Sequence, residues 1–445
     1  MVDLQNNIVT QYRGFWWLSE KESQRVPGIL TRFSDGRIIL DLIGSFDSDE
    51  NNPMGDWTSN LNGERTILGI DENAKLISLW GRRFAPKRNF ASTFAIVSYR
   101  VRVMMYGKHC NSLTEKYNYR ILAKIPELSY WCLPNLLKES ITYDVEENPT
   151  SVSIQLNLNN DILNPRAISE LADGTVLRLY DDGICQTDGT LLSPIIEQYT
   201  VLELWNGKGL SLSESIHIIK RFEKFLSFSM TKQVYHNEIK IQDLSNPQTN
   251  LSGKIYYNSS FVYLSGDKEQ NKIVRPPHFL FNHDIIKDDF SEIIHHWISE
   301  DSETAPLTDH LVDSIIPNTN NISIYFLTVI QAIDGYWQRY REDNYNKSKK
   351  KNTSINEILK VLSSELTSIP SMNKYSLDID AAADSRNYYS HLLKKSSKEH
   401  ILYGEDLLSL TGKLRTLLLF CILKATGFSD RAINKIIEQY KGIFV

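Results

Sequence analysis

The apolar residues of this chain change period partway along it, and that change restricts the fold more than any single motif. Up to about residue 265 most segments read as strands, and from about residue 286 onward nearly all read as helices. A strand turns alternate residues to one face, whereas a helix returns to the same face every three or four. The two stretches therefore cannot share one kind of layer. The chain is predicted to be α+β, with a β-rich N-terminal region carrying one helix and an all-α C-terminal bundle.

In the first region, "GILTRFSDGRIILDLIG" (28–44) holds two β-rich runs separated by Ser34-Asp35-Gly36. That combination suits a hairpin, because glycine tolerates positive φ. Runs at 65–71, 75–81, 94–107, 151–158 and 174–187 repeat the pattern, with Gly, Asn or Asp near their ends, and predict a sandwich or a barrel-like sheet. At 211 the spacing switches: Leu212, Ile216, Ile219, Phe222 and Leu226 fall on one helical face, with Ser211 or Ser213 as N-cap. Strand-like runs at 234–242 and 253–265 follow. The Pro pair at 276–277 cannot continue a sheet ladder, so a domain edge is expected near there. Residues 1–285 form the predicted N-terminal region, with a second internal break near 140–150.

"DDFSEIIHHWISE" reads as a linking helix within 286–304. Helical periodicity then recurs at 320–342, 354–366, after 384, at 404–426 and at 429–440, making 305–445 a bundle. Gly427 is placed to stop one helix and Ser429 to cap the next. The length of 445 residues fits two or three domains. A net charge of −5 excludes coating of nucleic acid by bulk charge and confines any RNA contact to a patch.

Within the bundle, "DSRNYYSHLLKK" (384–395) brings chemistry. Alone, an Arg and a His five apart are weak evidence, because short motifs recur by chance. Asp384-Ser385 predicts a helix start just before them, which would put Arg386 in the first turn, where anions are attracted. Asn387 and His391 share a helical face, with Arg386 about 140° from His391. Two readings stay open on geometry: a phosphate site, or an Arg paired with an acid beside a packed His.

The segment "RNYYSH" in a C-terminal helical bundle resembles the R-N-x-x-x-H signature of HEPN ribonucleases. The opening "YRGFWWLSEKESQRVPGILTRFSDGRIILDL" resembles the N-terminal domain of ApeA-like proteins, in which a β-rich sensor precedes an ApeA-type HEPN domain. The resemblance implies a bacterial, metal-independent endoribonuclease that cuts host RNA, tRNA or another, during abortive infection by phage. It implies no cofactor and no metal, a phage-derived trigger, and a homodimer through the HEPN bundle. Arg386 and His391 become the catalytic pair and Asn387 their support. Asp334, on an earlier helix, takes the place where similar domains carry an acidic residue; otherwise it caps a turn with Gly335. Histidine suits either proton role in 2′-OH attack, and a guanidinium stabilises the phosphorane. One His per chain cannot be acid and base at once, which favours a site shared by two chains. The alternative is a non-catalytic RNA- or protein-binding HEPN module.

Tyr388 and Tyr389 suit base stacking or the bundle core. Lys347, Lys349, Lys350 and Lys351, with Lys394, Lys395 and Lys398, either guide RNA or are a solvated surface. His278, His283, His295 and His296 lack metal-site spacing, and Cys110 beside His109 reads as a stray thiol. The acidic loop at 47–52 lacks an EF-hand pattern. Trp16, Trp17, Trp57 and Trp80 are expected in the core rather than around a ligand. Four scattered cysteines, no signal-peptide pattern at the start and no long apolar run predict a cytoplasmic protein without a membrane contact.

Overall fold

The structure is a computed structural model, and it describes residues 8–46, 63–84, 96–144, 146–157, 165–186, 195–251, 253, 255–266, 278–300, 305–316, 321–341, 353–391 and 400–440. The first six strands are β1 (Ile8–Leu18), β2 (Val26–Phe33), β3 (Ile38–Ile43), β4 (Glu64–Asp71), β5 (Leu76–Phe84) and β6 (Ile96–Tyr106). They close into a barrel in the order β1-β2-β3-β6-β5-β4, with β4 returning to β1. The hairpin at Ser34-Asp35-Gly36 forms between β2 and β3, with Gly36 at φ 84°. Trp16, Leu30, Leu40, Ile77, Leu79 and Tyr99 fill the barrel. At Gly69 a Cβ would lie 2.2 Å from the Trp16 ring, so the missing side chain is what admits the indole.

Among the described residues ten further strands are β7 (Lys116–Tyr117), β8 (Tyr119–Lys124), β9 (Leu137–Tyr143), β10 (Pro149–Leu156), β11 (Ala167–Glu170), β12 (Val176–Gln186), β13 (Ile195–Trp205), β14 (Leu210–Ser211), β15 (Glu238–Thr249) and β16 (Ile255–Leu264). A second sheet runs β11-β12-β13-β8-β15-β16 and joins the barrel at β6. One edge of β6 is divided: residues 96–100 pair with β3 and residues 103–106 with β16. A register shift opposite Trp80 and Gly81 leaves Arg102 as the extra residue on β6. A bulge of this kind reverses which side chains face inward. Val97, Tyr99 and Val101 point into the barrel before it; after it Met104 does, while Val103 and Met105 join a different core.

That other core joins strands to helices. The ten helices among the described residues are α1 (Pro126–Cys132), α2 (Leu212–Met230), α3 (His283–Ile286), α4 (Phe290–Ile298), α5 (Ala305–Ile315), α6 (Ile322–Tyr340), α7 (Ile355–Thr367), α8 (Ile379–His391), α9 (Gly404–Ala425) and α10 (Asp430–Tyr440). Ser211 caps α2 in a capping box with Glu214, as its Ser-x-x-Glu spacing requires. The apolar residues of α2 belong to one cluster with those of the second sheet, and Phe225 sits 5.4 Å from the Trp297 ring of α4 and 5.8 Å from Trp131 of α1. The same apolar cluster continues through α4, α5 and α6 to α9. Leu414, Leu417 and the run from Leu418 to Leu423 are all buried, so the second half of α9 is covered on every face and lies in the bundle core. Gly427 ends this helix at φ 80°, and Ser429 Oγ accepts the Ala432 N–H at 3.2 Å.

A buried charge cluster crosses from α2 to the bundle. Arg221 donates to Asp309 at 2.6 Å, to the Trp297 carbonyl at 2.9 Å and to Glu300 at 2.5 Å. Glu300 also accepts from Thr308 at 2.7 Å. Burial pushes the Glu300 carboxyl up from the ordinary range, against the pull of Thr308 and Arg221.

Candidate active site

The helix that carries the Arg-Asn-His set begins earlier than the sequence predicts. It starts at Ile379, capped by Asp378, whose side chain accepts the Ala381 N–H at 2.9 Å. Ala381, Ala382 and Ala383 are buried; their small size lets α8 lie against α6 and α7. The expected N-cap pair Asp384-Ser385 is therefore inside the helix, and Arg386 is eighth in it, not in the first turn. The anion-attracting helix end is two turns away, so a phosphate here would be met by the guanidinium itself.

Asp384 and Ser385 still cap backbone, but elsewhere in the chain. Buried Ser385 Oγ accepts the Leu402 N–H at 3.0 Å, and Asp384 accepts the His400 N–H at 3.4 Å. These bonds fix residues 400–402 along α8, and the Tyr389 hydroxyl donates to the Leu402 carbonyl at 3.0 Å.

Arg386 is half-buried on the side of α8 that faces α6. Its Nη1 donates to the Asn387 side-chain oxygen at 3.2 Å, and its Nη2 lies 3.8 Å from Asp334. Asp334 lies inside α6, not at a turn with Gly335, and accepts from Gln338 at 3.1 Å. A guanidinium has five N–H donors in a rigid fork. Among the described residues, one bond to Asn387 and a loose ion pair orient it, and the fork has further donors that a phosphate can use. His391 is the last residue of α8 and is exposed. It stands about 7.5 Å along the axis and about 140° around from Arg386, with Asn387 between them in azimuth.

The two predicted tyrosines stand edge-on to each other, with 5.0 Å between ring centres. Tyr389 is engaged inside the bundle: its ring meets Phe326 edge-on at 6.1 Å and its hydroxyl is bonded to Leu402. Burial raises its hydroxyl pKa. Tyr403 meets both rings, with its centre 5.8 Å from that of Tyr388 and 6.3 Å from that of Tyr389. Tyr403 has no signal in the sequence, because it follows a segment whose return to α8 no local pattern encodes. Lys347, Lys349, Lys350, Lys351, Lys394, Lys395 and Lys398 lie outside the described residues, as do Trp57 and the 47–52 loop.

The other candidates are occupied structurally. His295 Nδ1 is 2.8 Å from the Glu170 carbonyl, and His296 Nε2 is 3.1 Å from that of Ala425. His283 is enclosed by Trp131 and Phe290, and burial lowers its pKa. Cys110 is buried, its thiol donates to the Ser112 carbonyl at 3.1 Å, and burial pushes its pKa up. Trp16, Trp17 and Trp80 are buried. Among the described residues no group of three His, Cys, Asp or Glu side chains could hold a metal, and no helix is long and apolar enough to cross a membrane.

In comparisons with known proteins, residues 11–297 match the family model of ApeA N-terminal domain 1 and residues 327–432 match that of the Apea-like HEPN domain. No curated protein and no solved structure matches the chain.

Proposed function

The chain belongs to the ApeA-like HEPN family, and from that premise we propose that it is an anti-phage defence endoribonuclease using Arg386 and His391. HEPN domains are generally ribonucleases, and the family points to defence. The observation that carries the reading is the arrangement on α8: a half-buried guanidinium oriented by Asn387 and Asp334, and an exposed imidazole one and a half turns further on.

RNA supplies its own nucleophile. In the proposed reaction a base removes the 2′-OH proton, the 2′ oxygen attacks the adjacent phosphorus, and the 5′ oxygen leaves with a proton. The products are a 2′,3′-cyclic phosphate and a 5′-OH. Arg386 stabilises the extra negative charge of the phosphorane through charge-assisted hydrogen bonds. His391 carries one proton, and its counterpart from a second copy carries the other in a homodimer formed through the bundle. Residues 1–285 act as the sensing region, 286–304 as the link and 305–445 as the nuclease. The cytoplasmic location, the phage-derived trigger and the host RNA target belong to the same proposal.

The test uses the full chain with total RNA in EDTA, and growth with and without phage in parallel. Wild type is expected to leave 2′,3′-cyclic phosphate ends, with cutting and protection lost in Arg386→Ala and His391→Ala, by roughly 10²–10⁴-fold for the histidine. Folded variants that cut and protect like wild type would overturn the reading. RNA bound but never cut, even in infected cells, would favour a non-catalytic binding module.

A further inference from the structure

One hairpin of the N-terminal region, β9 with β10, contributes no residue to either apolar cluster. Its strands pair with each other, and among the described residues no other strand meets their outer edges. The root is fixed: Gln198 accepts the Leu136 and Leu137 N–H groups at 2.8 and 3.0 Å, and at Gly183 a Cβ would lie 3.0 Å from Leu156. Beyond that root every described residue is exposed, whichever face it points to. The register sets Ile141 opposite Val152 and Glu139 opposite Ile154, and alternation adds Tyr143 to the same face. Ile141, Tyr143, Val152 and Ile154 are between 37% and 59% exposed. The other face is polar, with Thr142 Oγ1 and Ser151 Oγ 2.7 Å apart. Two strands alone are marginal in water, whereas a third strand beside an apolar face makes a stable sheet.

We propose that this hairpin docks an extended, cationic segment of another polypeptide, which adds as a third strand along β10 and pairs its apolar side chains with Val152 and Ile154. Three observations select that occupant. The edge is open: β10 runs Ser151-Val152-Ser153-Ile154-Gln155 without a charge, although exposed edges are ordinarily guarded by charged residues. Its backbone is aimed outward: the Asn157 N–H bonds the Leu136 carbonyl at 2.9 Å, and hydrogen-bonded pairs alternate along an antiparallel ladder, which turns the N–H and C=O groups of Val152 and Ile154 away from β9. The charge is one-sided: Glu139, Asp144, Glu146 and Glu147 stand against the single base Lys138, so a basic segment is attracted, whereas a second copy brings the same acidic hairpin. Main-chain bonds then give affinity and alternate side chains give specificity. The inference goes beyond the ribonuclease reading, since binding here needs no chemistry at α8, and it gives the proposed sensing region a place to meet another polypeptide.

The test pans an mRNA-displayed library of random dodecapeptides against the full chain, with Ile154→Asp as counter-target. Peptides enriched on wild type are expected to alternate apolar residues with Lys or Arg. Binding of the best of them, read by fluorescence anisotropy, should fall about tenfold in Ile154→Asp and in Val152→Asp, the order of one lost apolar contact. Glu146→Lys with Glu147→Lys should weaken it about threefold, a difference that fades as salt is raised. Ser140→Ala, on the polar face, should bind within about twofold of wild type. In hydrogen exchange the Val152 and Ile154 amides should slow on binding, because they gain ladder partners. Should Ile154→Asp open the hairpin, seen as faster exchange at Ser153, Ile154→Thr keeps the strand propensity and should still lose about threefold.

Enrichment no greater on wild type than on the counter-target would overturn the inference. So would selected peptides without an excess of basic residues, or unchanged exchange at Val152 and Ile154 in the complex. Light scattering addresses the other occupant: self-association that Ile154→Asp abolishes would give the edge to a second copy and remove the foreign segment. A dimer that persists in Ile154→Asp is held elsewhere and agrees with the inference. Failure of the ribonuclease reading looks different, since the peptide then binds while no RNA is cut.

Discussion

The six-strand barrel keeps its apolar interior to itself, whereas the second sheet, α2 and the bundle share theirs. The barrel interior is one cluster around Trp16, Leu40 and Tyr99. The other cluster begins on β5 and β6 at Trp80, Val103 and Met105, passes through α2, and ends in α9 and α10. The bulge at Arg102 separates them by sending neighbouring side chains of one strand to opposite cores. The lesson is that the mechanical seam falls inside the β-rich half. A disturbance of the barrel can stay local, while one at α2 reaches the helices that carry Asp334 and Arg386.

The largest expected effect probes the shared side. Arg221→Ala would leave Glu300, 4% exposed in its side chain, without its cation. Breaking a buried pair from one side costs about 3–5 kcal/mol, and the second sheet and bundle should lose that stability in one cooperative urea transition. Retention of the bundle's helical signal after the sheet has melted would break the comparison. Arg221→Met with Glu300→Leu should recover most of the loss, since apolar replacements of such pairs are often neutral.

A smaller effect tests the barrel. Gly69→Ala drives a methyl against Trp16 and should cost about 1–3 kcal/mol, as overpacking does. Hydrogen exchange should quicken in β1 to β5 and not in α8 or α9; faster exchange in α8 would mean the two cores are one.

A third expectation concerns pH at the junction. Burial holds His283 below its ordinary pKa of 6.5, so the folded protein resists the proton that the unfolded chain takes. The stability tied to this ring is complete above about pH 6.5 and is lost as pH falls through the folded pKa, by at most about 1.4 kcal/mol per pH unit. His283→Phe should flatten that slope in denaturation curves between pH 7 and 5. An unchanged slope would show that another group carries it.

The smallest effect sharpens the site. Ser385→Ala removes the acceptor of the Leu402 N–H and should cost about 1 kcal/mol. Local opening of residues 400–403 is expected, with the barrel untouched. A wild-type exchange rate at Leu402 would contradict the part assigned to Ser385.

Much of the element inventory was legible from periodicity. The β2–β3 hairpin, the Ser211-capped α2 and the Gly427 stop each rest on residues adjacent in sequence, so local chemistry announces them. The start of α8 misled because Asp384-Ser385 is a good cap by composition; the competing cap at Asp378 wins by burying three alanines, and the apparent cap serves residues 400–402 instead. Strands β7, β8, β11 and β14 and helices α1 and α3 are too short to express a period, and in β1, β9, β13 and α5 polar residues interrupt the apolar pattern, so none of these was marked by periodicity. Arg386, Asn387 and His391 were legible as a spaced set within ten residues. The ion pair with Asp334, 52 positions earlier, was suspected only through resemblance, and Tyr403 was not suspected at all.

By itself the amino-acid sequence determined the kinds of element, their order, and the Arg-Asn-His spacing, because propensity, capping and hydrophobic period act over a few residues. Only the tertiary structure decided that six strands close on themselves, that one bulge parts two cores, and that Asp334 and Tyr403 both come to α8. Those outcomes depend on which distant surfaces bury one another, and burial energy carries no record of sequence separation.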